Sequence, residues 1–170
     1  KCDRIGVKSI DSPFIEYKGK DGKKLKKELE LPNHTVAFEE VVKYLLDPEV
    51  GAIKDLSEIN GIGHRIVNGG PKLGCSMLIT DEVMEEYTKA IEYAPLHNPA
   101  HIQGIEACTK IMPNIPQALV FDTSFFVDMP KTSYIYPVPY EWYSEYGVRK
   151  YGAHGTSHKY VAKEVKDMFN

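Results

Sequence analysis

Apolar positions along this chain recur with two different periods. Short runs at Phe14 to Tyr17 and Leu25 to Leu31 flank Asp21-Gly22, the signature of a β-hairpin. Leu25, Leu29 and Leu31 predict an inward face on its second strand, which Pro32-Asn33 breaks. Phe38, Val41, Val42, Leu45 and Leu46 then recur at helical spacing up to Pro48. Ile59 to Val67 reads as a buried strand ended by Gly69-Gly70-Pro71, and Cys75 to Ile79 as a short second strand. Thr80 with Asp81-Glu82 predicts a helix start, with Val83, Met84, Tyr87 and Ile91 on its inner face. Asn98-Pro99 predicts another, with Asn98 as cap, Pro99 at the first helical position, and a stripe of Ile102, Ile105, Cys108 and Met112 that Pro113 stops. Ala118 to Phe121 has the unbroken apolar character of a central strand and delivers Asp122 at its C-terminal end. Pro130 to Pro139 is a connector, Tyr140 to Tyr146 a short helix, and Thr156 to Phe169 the last helix, with Thr156 and Ser157 as its capping residues. Strand and helix patterns alternate, so the fold class is α/β.

The 170 residues are 42% hydrophobic and 26% charged, the composition of a folded globular chain. A net charge of −3 without a strongly basic face argues against a nucleic-acid binder. The basic run Lys18 to Lys27 brackets Asp21-Gly22 and reads as a solvated hairpin tip. Cys2, Cys75 and Cys108 are odd in number and widely spaced, which predicts reduced thiols in a cytoplasmic protein. No apolar run is long enough for a membrane span. Lys1 begins in charged text without a Met, and Asn170 closes a helical pattern without a cap; a fragment at both ends is expected.

Four stretches could carry chemistry. Arg65 lies on an apolar strand that leads to a diglycine turn, where a guanidinium needs either a structural carboxylate or a bound oxyanion. His97 precedes a helix and is a surface or capping residue unless other elements join it. Asp122 at a strand end can hold a metal through water, orient a substrate, or cap a turn. The octapeptide Tyr151 to His158 combines two glycines, two histidines and two hydroxyls ahead of a helix, which suits a phosphate or another oxyanion, with a plain helix cap as the alternative. No Walker loop, nucleophile elbow or zinc spacing is present.

Read together, GHRIVNGG, APLHNPAHIQGIEA, PQALVFDTSF and RKYGAHGTSHKYVA resemble the acetate kinase family, with weaker similarity at DRIG and LPNH. The resemblance implies a ribonuclease H-like, actin-like ATPase-type domain, a mixed sheet flanked by helices, of the superfamily of sugar kinases, heat-shock chaperones and actin. It implies that residues 1–170 form a single partial N-terminal domain without its first strand, and that a C-terminal nucleotide-binding domain is missing. The implied reaction is ATP-dependent phosphorylation of a short-chain carboxylate to an acyl phosphate, with Mg²⁺ or Mn²⁺ and no metal ligand in this chain. The family is soluble and typically homodimeric, and this fragment alone is expected to be inactive.

Carried over residue by residue, the resemblance gives Arg65, His97, Asp122 and His154 as catalytic. Arg65, Val67, Leu96 and Ala153 are substrate-binding, and His154, Gly155 and Thr156 phosphate-binding. Departures occur at Asn68 for a usual histidine, Pro71 for glutamate, Phe126-Val127 for His-Gln, and Ala153 for the phenylalanine closing the methyl pocket. The last predicts room for propionate or butyrate. A degenerate, non-catalytic interaction module is the rival reading.

Overall fold

A computed structural model describes residues 1–7 and 11–169; Asn170, expected to end the last helix, lies outside them. The strands are β1 (Cys2–Asp3), β2 (Phe14–Lys18), β3 (Lys24–Glu28), β4 (Ile62–Ile66), β5 (Met77–Leu78) and β6 (Gln117–Phe121). The helices are α1 (His34–Leu45), α2 (Asp81–Lys89), α3 (Asn98–Ile111), α4 (Lys131–Tyr134), α5 (Tyr140–Tyr146) and α6 (Gly155–Phe169), with short 3₁₀ turns at Leu56–Glu58, Ala90–Tyr93 and Ser124–Phe126. The α/β class stands. The chain divides into two compact units, Lys1–Ile62 with Ile102–Ile115 and Gly63–His101 with Pro116–Asn170.

In the first unit β1, β2 and β3 form an antiparallel sheet in that order, with Phe14 opposite Glu28 and Lys18 opposite Lys24. The turn closes through Gly22, whose φ of 79° is the left-handed value that favours glycine, and Asp21 Oδ1 accepts from the Lys23 amide at 2.9 Å. β2 buries Phe14 and Ile15, but β3 is exposed throughout. The predicted inward face on the second strand therefore fails at Leu25, which is 40% exposed; only Leu31, beyond the strand, is fully buried. Four of the five β3 residues are Lys or Glu, so no apolar row exists to turn inward, and the charges also suit an edge strand. Asn33 caps α1 by accepting from the Val36 amide at 2.9 Å.

In the second unit the sheet order is β4-β6-β5, so Gln117–Phe121 is the central strand, as its apolar run predicts. Leu119 and Phe121 are completely buried, and β5 pairs antiparallel with β6 at Met77↔Leu119. β4 is shorter and wetter than the buried strand expected over Ile59 to Val67: Gly63 and Arg65 face solvent and only Ile66 is fully buried. Thr80 caps α2 through the Val83 amide at 3.3 Å. Tyr87 on α2 is fully buried edge-on to Phe121, ring centroids 6.2 Å apart.

Asn98 does not cap α3. It is fully buried, and its Nδ2 donates to the carbonyls of Asn68 and Ala90 at 2.9 Å each, pinning the turn after β4 to the end of α2. The Pro130 to Pro139 connector contains the one-turn helix α4. α6 begins at Gly155, so Thr156 and Ser157 lie inside its first turn and are not its caps.

Burial raises the Tyr87 phenol far above its ordinary value, and raises Tyr151 to about 12. A phenol whose folded value exceeds its unfolded one holds its proton more tightly in the folded chain. Its contribution is complete below the unfolded value of about 10 and is lost as pH rises through the folded one. The urea midpoint of the chain is expected to fall between about pH 10 and pH 12. A flat midpoint across that range contradicts this role for the two phenols.

Candidate functional site

The end of the central strand organises the site. Asp122 follows β6 directly, and its amide donates to the Ile66 carbonyl at 2.8 Å, which seats the carboxylate beside β4. Its side chain is almost fully buried, and a buried carboxylate needs a cation. Arg65, on the exposed face of β4, supplies it in a two-pronged contact: Nε to Oδ1 at 3.1 Å and Nη2 to Oδ2 at 2.7 Å. The hydrogen bonds to Asp122, reinforced by that residue's charge, raise the Arg65 pKa further. The Arg65 side chain is 64% exposed, so it is held by an acid yet open to solvent.

Arg65 Nη2 also lies 3.3 Å from His154 Nδ1. A guanidinium only donates, so Nδ1 accepts, and a neutral His154 carries its proton on Nε2. That Nδ1 sits 3.9 Å from Asp122 Oδ2. His154 holds a left-handed backbone, φ 54°, at the residue immediately before α6. The next residue, Gly155, donates its amide to the Asp122 carbonyl at 2.8 Å, and a Cβ there would collide with that carbonyl oxygen. The helix start is thereby fastened to the strand end.

Arg65, Asp122 and His154 line an open cleft of about 760 Å³ together with Thr156, Ser157, His158 and Tyr160. The first turn of a helix leaves amides unpaired, so Thr156 and Ser157 bring free donors and the positive end of the helix dipole. One guanidinium, one imidazole N–H and two amides can together bind a tetrahedral or planar oxyanion.

Three of the four residues expected to be catalytic are thus brought together. His97 is not joined to them: it is exposed, and its ring contact is with His101, centroids 6.4 Å apart. Val67 is half-buried, Ala153 is exposed and Leu96 is 89% exposed, and none of the three lines this cleft. Gly155 does not present a free amide to the cleft, because its N–H is donated to the Asp122 carbonyl. Tyr160 escaped sequence reasoning; Thr156, Ser157 and Tyr160 share one helix face by i,i+3 and i,i+4 spacing, which was the available signal.

Among the described residues no group of three His, Cys, Asp or Glu side chains could hold a metal ion, and both Asp122 oxygens are taken by Arg65. These residues alone do not fit a divalent-metal site. None of the described helices is long and apolar enough to cross a membrane.

A family model described as the Acetokinase family matches residues 2–170, and the chain belongs to that family. It is 52% identical over 167 residues to an acetate kinase of Methanosarcina mazei, covering 98% of this chain and 40% of the relative. It superimposes on the crystal structure of Porphyromonas gingivalis acetate kinase with a TM-score of 0.88 and 40% identity, over 99% of this chain and 41% of that one. A propionate kinase from Francisella tularensis gives 0.87 and 39%, with the same coverage. The chain therefore spans about two-fifths of the length of the relatives it matches.

Proposed function

We propose that this chain forms the carboxylate- and phosphoryl-handling part of an ATP-dependent short-chain carboxylate kinase, whose products are an acyl phosphate and ADP. The observation that supports it most is the Arg65 guanidinium, anchored by buried Asp122 and shared with His154 at the mouth of an open cleft. Phosphoryl transfer asks the protein mainly for positioning and charge stabilisation. On this reading Arg65 clamps the carboxylate and the migrating phosphoryl group, and Asp122 keeps the clamp in place. His154 donates from Nε2 and Thr156 and Ser157 offer amides, while His97, outside this cleft, is assigned to the phosphoryl path by the family resemblance alone. Sequence flanking residues 1–170 supplies the nucleotide pocket and the metal ligands. The working enzyme is a cytoplasmic homodimer.

Acetate is the reference substrate, and Val67, Leu96 and Ala153, which lie outside the described cleft, are assigned its methyl group by the family resemblance. Ala153, in place of a phenyl ring, leaves space for a longer chain, and one methylene in such a pocket is worth roughly 1–3 kcal/mol. Trapping acyl phosphate with hydroxylamine tests both parts. The full-length protein is expected to form acyl phosphate from ATP, with kcat/KM for propionate at least equal to that for acetate. No acyl phosphate from either acid overturns the kinase reading, and a strong acetate preference overturns the widened pocket alone.

A further inference from the structure

We propose that the cavity between the loop after β4, the turn after β6 and the segment leading into α6 is a second binding site, built for a small organic carboxylate with an apolar body. The cavity measures about 370 Å³, and its lining residues all belong to the second unit. Pro71, Met77, Phe126 and Val127 give it an apolar floor. Arg149 and Lys72 are its cations, and among the described residues lining it there is no aspartate or glutamate. Apolar side chains beside convergent polar groups of one sign are a common setting for a small-ligand site.

Arg149 is the feature that asks for a ligand. Its guanidinium carbon lies 3.6 Å from the centre of the Tyr134 ring and 5.3 Å from that of Tyr151. Its Nε donates to the Lys150 carbonyl at 3.2 Å. Neither terminal amino group has a protein partner among the described residues, and no carboxylate pairs with it. A half-buried arginine whose guanidinium lies on aromatic faces, with no protein partner for its terminal amino groups among the described residues, is placed for two parallel hydrogen bonds to a carboxylate. Lys72 is 69% exposed and already held by Glu86 at 3.0 Å, so it adds positive field and not geometry. One fork beside the Pro71, Met77, Phe126 and Val127 side chains suits a carboxylate that carries an apolar body, a body that phosphate lacks.

This cavity and the Arg65 cleft share no lining residue. They touch through the chain itself. Thr123, on the cavity wall, follows Asp122 directly. Phe126, also on the wall, packs so closely on Gly152 that a Cβ there would overlap its ring, and its ring centroid is 5.7 Å from that of His158 in the cleft. A bound carboxylate pressing on Phe126 therefore acts on the wall of the first site. The second site stands whether or not the first transfers a phosphoryl group.

The test is amide NMR of the ¹⁵N-labelled 170-residue chain, titrated separately with benzoate and with inorganic phosphate. Benzoate is expected to shift the amides of Thr123, Val127 and Arg149 saturably, and to bind more tightly than phosphate. Arg149→Gln should weaken benzoate by about tenfold or more. Arg65→Ala should leave it within about twofold, because the sites are separate. Val127→Trp fills the cavity from a wall position that is 39% exposed and leaves Arg149 intact, so it should block binding even if Arg149→Gln perturbs the fold. Three outcomes overturn the proposal: no saturable shifts at those amides, unchanged benzoate affinity in Val127→Trp or in a folded Arg149→Gln, or phosphate binding more tightly than benzoate.

Discussion

Arg65→Ala is expected to cost more stability than Asp122→Asn, although both break the same ion pair. The reason is the asymmetry of burial: the Asp122 side chain is 2% exposed and that of Arg65 is 64% exposed. Removing Arg65 strands a buried carboxylate whose hydrogen bonds both came from the guanidinium. Neutralising Asp122 leaves a guanidinium that water already solvates. Discounted for the exposure of Arg65, the difference between the two variants should be about 1–3 kcal/mol. Adding Asp122→Asn to Arg65→Ala should recover most of the loss, since no charge is then left buried.

Activity should not follow the same order. In the full-length protein each single variant and the double variant should lose about a hundredfold or more in kcat/KM, because each removes or releases the oxyanion clamp. Urea melts of the 170-residue chain and acyl-phosphate assays of the full-length protein separate the two effects. Equal melts for the two single variants would show that Asp122 is not held mainly by Arg65.

Gly155→Ala is expected to be strongly destabilising to the second unit. An added Cβ would meet the Asp122 carbonyl oxygen, with Phe125 Cβ at 2.8 Å and the Asp122 carbonyl carbon at 3.1 Å. Two of these are backbone atoms of the strand end and cannot rotate aside. The Gly155 N–H to Asp122 carbonyl bond must lengthen, and α6 must move off the strand. Overpacking of this kind costs about 1–3 kcal/mol or more, or a loss of several degrees in Tm for a chain of this size. Gly104→Ala is the control. It sits inside α3 with nothing within 4 Å of an added Cβ, and should be neutral or gain up to about 1 kcal/mol. Similar Tm changes in the two variants would mean that α6 is not fastened at Gly155.

Much of the scaffold was legible from local signals. The hairpin with Asp21-Gly22 at its turn, the Thr80 cap of α2, the central strand Gln117–Phe121 and the helix Tyr140–Tyr146 are each written in a handful of adjacent residues. What escaped depends on distant partners. Asn98 looks like a cap because asparagine commonly caps; its amide in fact donates to two carbonyls 30 and 8 residues away. Ile62 to Ile66 looks buried by composition, yet alternate residues of that strand face solvent, which is why Arg65 can serve an open cleft. In the site, residue types at strand and helix ends pointed to Arg65, Asp122 and His154, but no spacing rule could pair a side chain at 65 with one at 122. Nothing local to Gly155 reveals that its amide is donated to the Asp122 carbonyl, 33 residues earlier in the chain.

The backbone of His154 determines how its imidazole can be interrogated. At φ 54° the main chain is in a region that asparagine and glycine tolerate and alanine resists. An alanine scan would therefore report a composite of lost ring and conformational strain, and would credit the imidazole with both. Asparagine keeps the local geometry affordable while deleting the ring, so the gap between those two replacements measures the strain separately from the chemistry.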